Sequence, residues 1–185
     1  QAISSTTVTM VFGMPAVHYY LSGQVEFKSQ SDLSFDSNTF TLSDSHEYIN
    51  PTDKISEAKQ QELYPTYHCD VNNISAGGIG LSWNKTQEIV GLKSGELVIY
   101  RHNVDNAWDV GVVRWIRKKL DGLVEFGVQL LSHEITPCTL GVHLKNEAKE
   151  TLLRGLLLSD TERKLAPLSL ISQDFGINPI SVFLN

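Results

Sequence analysis

From Thr66 onward, apolar and polar residues alternate with a period of two. That period predicts strands at about 66–73, 77–83, 96–102, 108–119, 123–132, 137–144, 152–158, 167–172 and 180–184. Gly, Asn, Asp and Ser separate nearly all of them, the pattern of an antiparallel barrel or sandwich. The chain ahead of Thr66 reads differently. Thr6–Phe12, TTVTMVF, is β-branched and apolar and predicts a strand. Met14–Leu21 carries a proline where a helix tolerates one, in its first turn. Residues 22–50 are rich in Ser, Asp and Thr and read as loops with one strand at Asn38–Leu42. Pro51 and Pro65 then bracket TDKISEAKQQELY, a helix pattern with Thr52 as its candidate N-cap.

One hairpin can be read to its register. WDVGVVRWIRKKLDGLVEFGVQLLS places Asp121-Gly122 where a two-residue type I′ turn fits. Counting outward from that turn sets Trp115 opposite Val128, Val113 opposite Leu130 and Arg117 opposite Phe126, on a face that is apolar except near the turn. The other face then pairs Lys118 with Glu125 and Arg114 with Gln129. Arg114 and Lys118 become a basic patch, a candidate surface for a protein partner.

Charge sharpens the picture. The chain carries a net −6, and residues 1–65 hold eight acidic against three basic side chains, while residues 66–185 come within one charge of neutrality. No arginine precedes Arg101. A nucleic-acid binder needs a broad basic surface, so that class is excluded as a reading. No apolar stretch reaches the roughly 18 residues a membrane helix needs, so no membrane insertion is expected. Cys69 and Cys138 fall in separate strands and read as two free thiols of a cytoplasmic protein rather than a disulfide framework.

The most informative turn lies in Cys69–Leu81, CDVNNISAGGIGL. Asn73, Ser75 and Gly78 stand there in the order N-x-S-x-x-G. An Asn side chain offers both a donor and an acceptor to a purine edge, and a hydroxyl can reorient to serve a phosphate or a base oxygen. Glycine leaves no side chain between the backbone and a ligand. The same two polar groups can also satisfy the turn's own backbone. Taken with the strands GVVRWIRKKLDGLVEFGVQLL that follow, the turn resembles a PilZ domain, over roughly residues 65–135. PilZ domains are small bacterial β-barrels that serve as receptors for cyclic di-GMP. The resemblance implies that Asn73, Ser75 and Gly78 line a guanine-binding surface.

The chain departs from that family at one point. PilZ receptors carry R-x-x-x-R just before the barrel, where paired guanidinium groups clamp phosphates and guanines. Residues 50–66 contain no arginine, and Lys54 and Lys59 lie among Asp53, Glu57 and Glu62. The expected affinity for cyclic di-GMP is therefore weak or absent in this chain alone, with a protein contact as the output. The alternatives are a receptor whose arginines come from elsewhere and a carbohydrate-binding or structural barrel. The sequons at Asn73 and Asn84 fit that last class.

The remaining chemistry is thin. The six histidines show no metal spacing, and no phosphate loop or nucleophile–base pair is present. Ser56-x-x-Lys59 and Ser82-x-x-Lys85 imitate a serine–lysine pair without the longer chain such enzymes need. The expectation is a mainly β, non-enzymatic bacterial signalling module without metal or cofactor. It comprises an amino-terminal extension (1–64) with one or two short helices, a PilZ-like barrel (65–140), and a carboxy-terminal β segment (141–185) that joins the extension in a second lobe.

Overall fold

The computed structural model describes residues 6–27, 55–84, 87–143, 150–159, 168–172 and 180–182. Six antiparallel strands close into a barrel. They are β1 (Thr7–Phe12), β2 (Tyr67–Ser75), β3 (Gly78–Trp83), β4 (Leu97–Arg101), β5 (Asp109–Lys118) and β6 (Val124–Ser132), ordered β1-β2-β3-β6-β5-β4. A separate four-stranded sheet, ordered β10-β9-β8-β7, holds β7 (Glu134–His143), β8 (Glu150–Ser159), β9 (Leu168–Ser172) and β10 (Ile180–Val182). Two helices complete the described elements, α1 (Met14–Leu21) and α2 (Glu57–Leu63).

Two cores explain the apolar pattern. Val8, Met10, Phe12, Leu81, Val98, Val113 and Phe126 fill the barrel. Val11, Leu97, Ile99 and Val110 point the other way and are buried beneath α1 and Leu156 and Leu158 of β8. Strands β1 and β4 are thus covered on both faces, which is why TMVF and LVIY are continuous apolar runs rather than alternating ones.

The pairing of β1 differs from the expectation for Thr6–Phe12. β1 does not join the late strands; it pairs with β2 through Val8–Cys69 and with β4 through Val11–Ile99, and so closes the barrel. The reason is its double-sided apolarity, which only a site between barrel and overlying layer can bury. α1 locks the layers together. His18 Nε2 donates to the Cys138 carbonyl at 3.1 Å, and Ser22 Oγ donates to His18 Nδ1 at 3.3 Å. Burial lowers the His18 pKa below its ordinary value; the carbonyl bond opposes this and Arg154 reinforces it.

Ser56 rather than Thr52 caps α2, its hydroxyl accepting from Lys59 N at 3.4 Å. Thr52 and the expected strand at Asn38–Leu42 lie outside the described residues. No helix among the described residues is long and apolar enough to cross a membrane.

The β5–β6 register is the second correction. Trp115 lies opposite Gly127, not Val128; Arg117 lies opposite Glu125, and Val113 opposite Val128. Two local features shift it. The loop is one residue longer than expected: Lys119 N donates to Leu123 O at 2.8 Å, Gly122 N returns to Lys119 O at 3.1 Å, and Gly122 takes φ +86°. That is a three-residue loop ending in a left-handed glycine, and Asp121 Oδ1 accepts from Leu123 N at 3.0 Å. A bulge between Val113 and Trp115 adds a further step. Trp115 is therefore 47% exposed on the outer wall. The cross-strand ion pair forms at Lys119–Glu125 (2.8 Å) instead of Lys118–Glu125.

Candidate functional site

The β2–β3 hairpin presents its tip beside the bulge of β5. Alternation at the start of β2 buries Cys69 and exposes His68. The register shift between Val71 and Asn73 then separates two adjacent asparagines by role. Asn72 Oδ1 accepts from Ser82 Oγ at 3.0 Å and is structural. The Asn73 amide has no hydrogen-bond partner among the described residues and lies across Gly80, where a Cβ would collide with it.

The neighbouring strand repeats the device. A Cβ on Gly127 would collide with the Trp115 indole, so that ring lies across Gly127 as Asn73 lies across Gly80. Gly80 and Gly127 are themselves register partners. Reading across β2, β3, β6 and β5, the row runs Asn73, Gly80, Gly127, Trp115. An amide and an indole thus lie side by side over two glycines on the outer barrel wall.

A cleft of about 240 Å³ occupies this place, lined by Asn73, Ser75, Gly78, Arg114, Trp115 and Gln129 together with the intervening glycines, Ile79 and Val128. Among the described residues Arg114 is its one ionised lining residue. Arg114 faces outward at the bulge, and its Nε donates to Gln129 Oε1 while its carbonyl accepts from Ser94 Oγ at 3.1 Å. Arg117 lies on the same face, its guanidinium 6.0 Å from the Trp115 ring centroid.

The structure brings Asn73, Ser75 and Gly78 together, and gives two of them internal work. Ser75 Oγ donates to Gly78 O at 3.3 Å, closing the turn. Gly78 lacks a side chain because the Val128 carbonyl of β6 occupies the space a Cβ needs. Arg114 and Lys118, expected on one patch, are parted by the bulge. Arg114 enters the cleft, while Lys118 lines a second depression of about 480 Å³ with Trp83, Ile89, Leu92 and Ile116. Sequence reasoning missed Trp115 and Gly127 as cleft residues. The available signal was Gly127 itself, a glycine inside an otherwise apolar strand, which marks close approach.

Among the described residues no cluster of three metal-ligating side chains occurs. Cys69 and Cys138 form no disulfide, and burial raises the Cys138 thiol pKa.

Comparison with known proteins gives the barrel its family. The family described as cyclic-di-GMP receptor FimW, middle PilZ domain, matches residues 29–137, more than half of the chain. The chain is also 38% identical over 103 residues to the cyclic-di-GMP receptor FimW of Pseudomonas aeruginosa, an alignment covering 56% of this chain and 17% of that relative. The chain therefore spans only a small part of that protein's length. No solved structure matches. The match runs from ahead of α2 through all of β2–β6, the strands that build the cleft, and on that basis the chain belongs to the PilZ domain family.

Proposed function

We propose that the chain is a non-enzymatic binding module of cyclic di-GMP signalling, whose outer-wall cleft receives one guanine of the ligand with low affinity. The observation that carries this reading is the row Asn73, Gly80, Gly127, Trp115. A planar base can stack on the indole and meet the neighbouring amide along its edge. The cleft's 240 Å³ is below the roughly 300–1,000 Å³ usual for a whole drug-sized ligand, so it suits one base rather than the complete cyclic dinucleotide.

Low affinity follows from the missing clamp. No arginine precedes the barrel strands β2–β4 in sequence. Each charge-assisted bond contributes about 1.5–3 kcal/mol, so a forgone bidentate pair removes ~3–6 kcal/mol. At 1.4 kcal/mol per tenfold, a micromolar receptor falls to about a millimolar. In this reading the module's output is a protein contact. The exposed Ile116 and Leu120 beside Lys118 support such a surface.

The test is a titration of ¹⁵N-labelled chain with cyclic di-GMP, followed by NMR. The expected result is progressive shifts at Asn73, Gly80, Gly127 and the Trp115 indole, half-saturating at about a millimolar. Tight micromolar saturation would overturn the weak-affinity part. Shifts confined to other strands would overturn the site.

A further inference from the structure

The cleft is too small for a dianionic cyclic dinucleotide, so the parts that carry its charge must lie on the rim. The geometry points to Arg114 and Arg117, three residues apart on β5, as the phosphate-holding pair of this chain, supplied from within the barrel in place of a pair ahead of it. This rests on the proposed cleft being the nucleotide site.

The bulge creates the pair. In an unbroken strand, residues three apart face opposite sides of the sheet. The extra residue between Val113 and Trp115 breaks that alternation, so Arg114, Trp115 and Arg117 all lie on the outer wall while Val113 stays inside. One guanidinium borders the cleft beside the indole, and the other rests over its ring. A base stacked on Trp115 therefore sits between two cations.

The surroundings leave those charges in place. The carboxylate that could quench Arg117 is Glu125, its register partner, and Glu125 is bound by Lys119 at 2.8 Å. Among the described residues Arg117 makes no ion pair, and no acidic side chain lines the cleft. Arg114 uses only its Nε on Gln129, so its terminal nitrogens stay available. In a chain of net charge −6, this is a local anion site against the overall sign. Both side chains are exposed, so their attraction is screened by salt and does not restore the affinity of a buried clamp.

The experiment compares cyclic di-GMP with guanosine, which offers the base without phosphate, on wild type, Arg114→Gln, Arg117→Gln and the double variant. The readout is the initial slope of the cleft-residue NMR shifts against ligand concentration, at low and high salt. Each single substitution is expected to lower the cyclic di-GMP slope about fivefold and to leave the guanosine slope unchanged. The double variant is expected to abolish the preference for cyclic di-GMP and its salt dependence. Lys93→Gln, an exposed cation outside the cleft lining in an ion pair with Glu96, serves as the control and should change neither slope. If cyclic di-GMP shifts the cleft residues equally in wild type and double variant, the arginine pair is wrong while the cleft stands. If neither ligand shifts the cleft residues, the cleft itself is wrong and the pair falls with it.

Discussion

Replacing Gly127 with alanine should evict Trp115 from the wall without unfolding the barrel. The added Cβ meets the pyrrole edge of the indole, and a half-exposed side chain on two rotatable bonds can swing away. The cost is the burial it loses. A buried tryptophan removes roughly 150–250 Å² from water, and Trp115 is 47% exposed, so about 100 Å² is at stake. At ~25 cal/mol per Å² that is about 2.5 kcal/mol. Alanine recovers about 0.5–1 kcal/mol of glycine's backbone entropy. The net loss should be about 1.5–2 kcal/mol in urea unfolding, with Trp emission shifted to the red and cleft binding lost. Gly78→Ala provides the contrast. Its Cβ meets the Val128 carbonyl, which is fixed in the β3–β6 ladder and cannot move aside. That variant should lose about 3 kcal/mol or more, in the range reserved for overpacked cores. Equal losses for the two variants, or an unshifted emission for Gly127→Ala, would show that the indole does not lie across Gly127.

Three further outcomes follow from the same geometry. Ser75→Ala should cost about 0.5–1.5 kcal/mol of stability through its lost bond to Gly78 O, while Asn73→Ala, whose amide is unpartnered, should leave unfolding unchanged and weaken guanosine shifts. A double-mutant cycle on Lys119 and Glu125 should give a coupling of about 0.2–1 kcal/mol, and the same cycle on Lys118 and Glu125 about zero; the reverse ranking would restore the two-residue turn. Because the folded pKa of His18 is lowered, the native state holds fewer protons there than the unfolded chain, so its share of stability is present above 6.5 and is lost as pH falls through 6.5 toward the folded pKa. The thermal midpoint should drop between pH 7.5 and 5.5 by more in wild type than in His18→Gln, and parallel profiles would remove His18 from the account.

The strands were legible because their signal is local. A period of two, turn residues and β-branched runs located β2 through β8 to within a few residues, and the N-x-S-x-x-G turn with the following hairpin pointed to the family. What was not legible depends on partners distant in sequence. Thr7–Phe12 reads as a strand, but only the two-sided burial of Met10 and Val11 shows that it closes the barrel rather than starting another lobe. The hairpin register depended on a choice between two-residue and three-residue loops. Asp-Gly permits both, since a left-handed glycine serves either.

The bulge at Arg114 is where sequence and structure part most usefully. Simple alternation assigns Trp115 to the core, and its apolar character agrees, so nothing in the local pattern argues for an extra residue. Yet an indole inside this barrel would have to share the space of Val113, Val128 and Phe126, all three of which are almost completely buried. Inserting one residue sends the indole to the opposite wall, where a side chain on the facing residue would collide with it. Gly127 stands at that position, and Gly80 stands beside it to accept Asn73. A bulge alone would expose an aromatic ring to water at a cost in burial. A bulge matched to two adjacent glycines seats the indole beside the Asn73 amide, with guanidinium groups next to them. The departure from regular strand geometry is therefore tied to the site: a variant that deletes Arg114 leaves Val113 and Trp115 as consecutive residues opposite Val128 and Gly127, so it should straighten β5 with the indole still on the outer wall and remove only the cleft's cation, whereas an indole found inside the barrel would refute the register.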